Sequence, residues 1–408
     1  MFTNKKRVEY HIELLSTFTA TPNQGVTRLT YSAEDLKARE YIKEKMIEYG
    51  LSVREDGLGN IFGKMEGIKN DKPSILIGSH FDSVPNGGAY DGTLGVVAGL
   101  EIAAIFHENN IKPIYPIEII ALVEEEGSRF GGALMGSRGM TGLIEEEDYQ
   151  HIKDENSISV IEAMEKIGLD FTKNKYRDPS TIKAFLELHI EQGPILEEKE
   201  ITIGIVDAIV GLTQLEVTVE GRAGHAGTTP MNLRDDALVV ASEIISILPE
   251  IAIEQGEETV ITTGRLQVYP NGANVIPEKV IFTIDLRSSN EEDIQQAHNK
   301  VKKLIESKNK KQIRTSIKQH LYMPPKALNE AINKTFKKNC DKLDISYHSM
   351  NSGAGHDAMV FSDVTDVGMI FVPSKDGLSH CPEEWSDAEH ISQGIEVLFE
   401  TVKELAEV

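Results

Sequence analysis

Six short segments of this chain combine histidine or carboxylate side chains with nearby glycines. They are "GSHFDSVPNGGAYDG" with His80, Asp82 and Asp91, "VEEEGSRF" with Glu124, Glu125 and Glu126, "FLELHIEQG" with His189, "GRAGHAGTTP" with His225, "SGAGHDA" with His356, and "GLSHCPEEW" with His380. Imidazole and carboxylate are the usual ligands of Zn2+ and of harder divalent ions such as Mn2+. One carboxylate bridging two such ions, with two terminal ligands on each, makes a site that clamps and activates a water. Three consecutive carboxylates repel one another unless a cation or solvent relieves them. Taken singly, each histidine reads as a satisfied structural side chain and the first segment as a solvated turn. Spacing does not choose among the candidates, because they come from distant parts of the chain.

The elements that must position them are those of a soluble protein. At 408 residues, with 40% apolar and 26% charged residues, two domains are expected. A net charge of -23 opposes nucleic-acid binding, which calls for a basic patch. Only Cys340 and Cys381 are present, too few for a disulfide framework, which fits a reducing cytoplasm. The opening "MFTNKKRVEYHIELLSTF" lacks the apolar run and cleavage site of a secretory leader. No stretch approaches the ~18 apolar residues of a membrane span. A cytoplasmic location is the expectation.

Along the first half, apolar strand-like runs alternate with helices. "PSILIGSH" and "IEIIALVEEEG" flank the apolar helix "TLGVVAGLEIAAIFHENN". This order predicts a mainly parallel sheet covered on both faces, with ligands gathered beyond the carboxyl ends of its strands. His80 and the glutamates after Val123 lie at such ends. In "FLELHIEQG", His189 shares a strand face with Glu187 and Glu191. From Gly211 the pattern becomes βαββαβ, a ferredoxin-like order. The predicted architecture is α/β: a large mixed, mainly parallel catalytic domain from 1–211 and 325–408, with a small α+β domain inserted at 212–324.

Read in order, the six segments together with "NVIP" and "DLR" resemble the amidase, hydantoinase and carbamoylase family. That family is a branch of the metal-dependent aminoacylase and carboxypeptidase superfamily, and it includes N-carbamoyl-L-amino-acid hydrolases, allantoate amidohydrolases and β-ureidopropionases. The resemblance runs from "GVTRLTYS" (25–32) to "EEWSDAEH" (383–390). It implies His80, Asp91, Glu126, His189 and His380 as ligands of two divalent ions, with Asp91 bridging. Zn2+ is the first choice, and Mn2+, Co2+ or Ni2+ are alternatives. It implies Asp82 as the acid that orients His80 and Glu125 as the general base. Glu124 is expected to be a solvated acid or one that backs the ligands.

A histidine at 189, followed by Gln192, points to the carbamoyl branch. Gln192, His225, Asn274, Arg287 and His356 are implied to contact substrate. Arg287 would grip a carboxylate with Asn274 beside it. His225, presented across a homodimer interface formed by the inserted lid domain, would stabilise the oxyanion. The implied reaction is hydrolysis of N-carbamoyl-L-amino acids to amino acid, ammonia and CO2.

"DGTLGVVAGLE" and "EEW" resemble that branch, whereas "EEEGSRF" and "SGAGHDA" lean towards allantoate amidohydrolase. Another N-acyl-amino-acid amidohydrolase is the third possibility. A silent binding protein on this scaffold would lack a ligand or Glu125, and none is missing. A serine hydrolase would need G-x-S-x-G, which is absent. The remaining histidines, His11 among them, sit in no motif.

Overall fold

The computed structural model describes residues 3–131, 133–173, 176–310 and 312–408. Contacts divide the chain into two compact units. The first comprises Met1–Asp207, Ala327–Met350 and His356–Val408; the second comprises Ala208–Lys326 and Asn351–Gly355.

The sheet of the first unit carries, in spatial order, the strands Ser52–Glu55, Ile61–Met65, Ile117–Leu122, Ser74–His80, Ile182–Ile190, Asp366–Val372 and Ile203–Ile209. The four central strands, from Ile117–Leu122 to Asp366–Val372, are parallel. The flanking pairs are antiparallel, so the sheet is mixed and parallel only at its centre. This corrects the expectation of a mainly parallel sheet. The physical reason on one side is a hairpin: Asp56 Oδ1 accepts the N–H groups of Leu58 and Asn60, turning the chain within a few residues. A connection that short joins only antiparallel strands.

Every residue of Ser74–His80 and Ile117–Leu122 is buried, as expected for strands covered on both faces. The helix Thr93–Glu108 is buried from Thr93 through Phe106, in keeping with its apolar character on all sides. The helix Ala388–Leu405 starts at Asp387, whose side chain accepts the Glu389 N–H, and buries Ile391, Ile395, Leu398 and Val402 at helical spacing. Each such buried aliphatic side chain contributes about 1.5–3 kcal/mol. His11 lies in this core between the hydroxyls of Tyr41 and Tyr49, at 2.6 and 3.0 Å, as a satisfied structural histidine.

The parallel registers pair His80 with Leu122 and His189 with Phe371, so the central strands end side by side. The loops that follow these ends carry Asp82 and Asp91, Glu124 to Glu126, Gln192, and Ser379 to Glu384. This is the sheet edge where open α/β folds gather ligands.

The second unit is an antiparallel sheet in the spatial order Leu266–Tyr269, Lys279–Ser288, Gly211–Glu220, Arg314–Met323. Val260–Thr262 also pairs with Lys279–Ser288, so the second strand of the βαββαβ order is broken into two pieces. Alternation along the strands puts Leu215, Val217, Val280, Phe282 and Ile284 against Ile244 and Leu248 of the helix Ala237–Ile253 and Ile294 and Val301 of the helix Glu291–Ser307. Asn351–Gly355 joins this unit through bonds such as Val210 N–H to Ser352 O, 3.0 Å. Among the described residues no helix is long and apolar enough to cross a membrane.

Candidate metal centre

Asp91 is the hub of the site. Its Oδ1 lies 3.3 Å from His80 Nε2 and 3.2 Å from His189 Nε2. Its Oδ2 lies 3.2 Å from His380 Nε2, which in turn is 3.5 Å from Glu126 Oε2. Two ligand-sized groups result, His80–Asp91–His189 and Asp91–Glu126–His380, and they share only Asp91. The five side chains drawn from four distant loops and strands are thus brought together around one carboxylate.

The loop between His80 and Asp91 reaches this geometry through small residues. Gly92 has φ 60°, and a Cβ there would lie 2.3 Å from the His80 ring. Any side chain at 92 would therefore displace the His80 ring. Glu124, Gln192 and His380 also adopt left-handed φ values of 51°, 59° and 57°. Such backbone costs on the order of 1 kcal/mol per non-glycine residue and persists where the surroundings fix it.

The imidazoles are oriented from behind. His189 Nδ1 faces Ile190 O at 2.9 Å and so carries a proton, while its Nε2 is turned to Asp91, with the Gly92 N–H 3.1 Å away. His80 Nδ1 faces the backbone oxygen of Asp82 at 3.2 Å and its Oδ1 at 3.6 Å. Asp82 also accepts the N–H groups of Glu125 and Glu126, at 3.1 and 3.3 Å. Asp82 therefore orients His80 chiefly through its backbone oxygen, while its buried carboxylate sets the course of the glutamate loop.

The carboxylates and imidazoles shift one another's acidity. Burial alone would raise the Asp91 pKa, but hydrogen bonds from His189, His380 and His80 hold it well below the usual range. His80 is raised well above the ordinary histidine value: burial opposes protonation, but Asp82 and Asp91 outweigh it. His380 is raised to about 9, chiefly by its bond to Asp91. Glu126 is pushed up to about 7 by burial, with repulsion from Asp91 next. Glu126 Oε1 is buried without a hydrogen-bond partner. Imidazoles with orienting partners, a shared carboxylate and an orphan carboxylate oxygen suit divalent cations.

Glu125 is buried, with Oε2 3.9 Å from His80 Nε2. Burial raises its pKa well above the ordinary value; His80 opposes this, and Glu126, Asp357 and Asp82 add to it. Glu124 is not solvated. It is fully buried, and its Oε1 accepts the N–H groups of Arg129 and Phe130, fixing the turn after Glu126. Gln192 donates from Nε2 to Asp91 Oδ2 at 2.7 Å. His356 stacks edge-on against His189, ring centroids 4.6 Å apart, and with Glu187 forms a third buried group beside the first two.

His225, Asn274 and Arg287 belong to the second unit. His225 is exposed and pairs with Val275, so Asn274 is adjacent to it; the Ala226 N–H donates to Asn274 O at 3.0 Å. Arg287 turns its fork onto Asp285, with Nε to Oδ1 at 2.7 Å and Nη2 to Oδ2 at 3.4 Å.

Residues without a role in the sequence reading also support the site. Arg28 is buried and donates to Phe81 O at 2.6 Å, Leu15 O at 2.7 Å and Thr93 Oγ1 at 2.9 Å, tying together the two ends of the His80–Asp91 loop. Its only sequence signal is its place in "GVTRLTYS". Glu187 accepts from Ser79 Oγ at 2.5 Å.

Residues 76–404 match the family described as peptidase family M20/M25/M40. The chain belongs to this family. The family is metal-dependent and hydrolytic, which agrees with the ligand groups around Asp91. Among its relatives, an N-carbamoyl-L-amino-acid amidohydrolase of Paenarthrobacter aurescens is 42% identical, with 98% of each chain covered. An allantoate amidohydrolase of Bacillus subtilis is 37% identical, also with 98% of each covered. The crystal structure of a hydantoinase/carbamoylase family amidase from Burkholderia multivorans superposes with a TM-score of 0.87 at 33% identity, covering 99% of this chain and 98% of that one.

Proposed function

We propose that this family member is a cytoplasmic two-cation amidohydrolase that cleaves the C–N bond of N-carbamoyl-L-amino acids, releasing L-amino acid, ammonia and CO2. The observation that carries the reading is Asp91, whose two oxygens face different histidine sets. His80 and His189 would hold one cation and Glu126 and His380 the other, with Asp91 shared. Zn2+ is the first choice, with Mn2+, Co2+ or Ni2+ as alternatives. Two cations there supply Lewis-acid polarisation of the ureido carbonyl and a more acidic water.

The chain's own residues do the rest. Glu125 accepts the proton of the attacking water and returns it to the departing nitrogen. Asp82 keeps that carboxylate in place through the Glu125 N–H. Gln192 and His356 border the ligands and complete the pocket. Arg287 grips the substrate carboxylate with Asn274 beside it, and its two-bond hold on Asp285 is the geometry such a clamp uses. His225 stabilises the oxyanion. We assign the inserted domain, residues 212–324 within the second unit, the role of lid and homodimerisation surface. Exposed apolar side chains there, Val239, Val260 and Leu266, support that role.

Relatives named for N-carbamoyl-L-amino acids stand at 41–42% identity, against 35–37% for those named for allantoate. This margin favours the first substrate over allantoate. Ammonia release from N-carbamoyl-L-amino acids and from allantoate, measured side by side on metal-loaded enzyme, tests the assignment. The expected kcat/KM favours the N-carbamoyl series by at least about tenfold, the discrimination a few polar contacts supply. A preference for allantoate would reassign the substrate.

A further inference from the structure

Glu384 is buried in the loop beyond His380, and one oxygen of its carboxylate binds the segment that carries Asp91. Its Oε1 accepts the N–H groups of Tyr90 and Asp91, at 2.9 and 3.0 Å. Its Oε2 lies 2.8 Å from Ser379 Oγ, which is also 3.0 Å from Asp91 Oδ2. One side chain thus holds Asp91 by its backbone and shares with the Asp91 carboxylate the hydroxyl of Ser379. The pocket for it is built into the other side of the loop. A Cβ on Gly88 would lie 2.1 Å from Glu384 Oε1, so glycine at 88 leaves the room the carboxylate needs.

Ser379 has one hydroxyl proton and two carboxylate oxygens within reach, so Glu384 and Asp91 compete for it. Glutamine at 384 would keep a carbonyl for the two backbone amides. It would also place an N–H against Ser379 Oγ, freeing the hydroxyl proton for Asp91. Alanine would remove all three bonds and leave two backbone N–H groups near Asp91 unsatisfied.

We infer that Glu384 is a positioning residue for the shared ligand, fixing Asp91 so that its two oxygens serve two cations at once. The inference rests on the two-cation reading above. Because Asp91 belongs to both groups, loosening it weakens both binding steps, unlike the loss of a terminal ligand, which weakens one.

The test is titration of the chelator-stripped, full-length protein with Mn2+, counting free ion by electron paramagnetic resonance, for wild type, E384A, E384Q and S379A. In folded E384A both dissociation constants are expected to rise by about 10–100-fold, the usual cost of losing a partner behind a ligand. E384Q is expected to stay within about threefold of wild type, because its hydrogen bonds can be remade. S379A is expected to weaken both steps by less than E384A does. E384A with wild-type constants for two equivalents would overturn the inference, as would E384Q as impaired as E384A. If E384A does not fold, S379A with wild-type constants would overturn it. Wild-type protein that takes up fewer than two equivalents would instead overturn the two-cation reading itself.

Discussion

Glu125→Gln lowers kcat for an N-carbamoyl-L-amino acid by roughly 10²–10⁴-fold, the range a positioned general acid–base contributes, and leaves KM within about threefold. The substitution is nearly isosteric and removes only the capacity to take a proton. Glu125 stands outside both ligand groups, so cation uptake is expected to be unchanged. Its backbone remains fixed by Asp82 through a 3.1 Å bond that does not involve its side chain. Burial and the neighbouring acids Glu126 and Asp357 push its pKa up, while a positive charge at His80 pulls it down. Cations in place of that charge act in the same sense, bringing the carboxylate towards the working range of a base. Steady-state ammonia release with a metal assay on the same sample reads the result. Wild-type kcat in the variant would remove Glu125 from the chemistry, and a fall explained by lost metal would make it a ligand instead.

Cation affinity rises steeply with pH. In the metal-free protein His380 keeps its proton up to about pH 9, mainly through its bond to Asp91. Glu126 keeps its proton up to about pH 7, mainly through burial. Both protons must leave before these side chains ligate, so the metal-free form binds more protons than the loaded one and raising the pH favours loading. For the Asp91–Glu126–His380 group, the association constant is expected to rise roughly tenfold per pH unit between 7 and 9 and about a hundredfold per unit below 7, one proton and then two being displaced. His80 and His189 are also raised, so the other group responds in the same direction. Competition against a chelator of known proton affinity at pH 6, 7, 8 and 9 measures the slope. An affinity independent of pH would contradict this displacement of protons.

The central strands were legible because long apolar runs punctuated by polar turns leave few alternatives. The five side chains around Asp91 were legible only as a series of motifs, since no spacing rule links His80 to His380. Glu384 escaped for a physical reason: a glutamate four positions after a loop histidine reads as solvated until folding sets it against Tyr90 and Asp91. The burial of Glu124 is hidden for the same reason, because local sequence does not reveal the two amides from which its carboxylate accepts. The antiparallel flank of the sheet was hidden in the Asp56–Asn60 turn. Asn351–Gly355 belongs to the second unit through contacts such as Asn351 Nδ2 to Glu258 Oε1, 3.1 Å, which no window of sequence contains.

The proposed amidohydrolase reaction would require a pair of cations sharing Asp91. Stepwise addition of Mn2+ to the chelator-stripped protein, with ammonia release from an N-carbamoyl-L-amino acid followed at each addition, tests it most directly. The expected result is no activity without metal and a rate that rises to a plateau at two equivalents per chain, one for each group around Asp91. Full activity in the stripped protein, or a plateau at one equivalent, would contradict it.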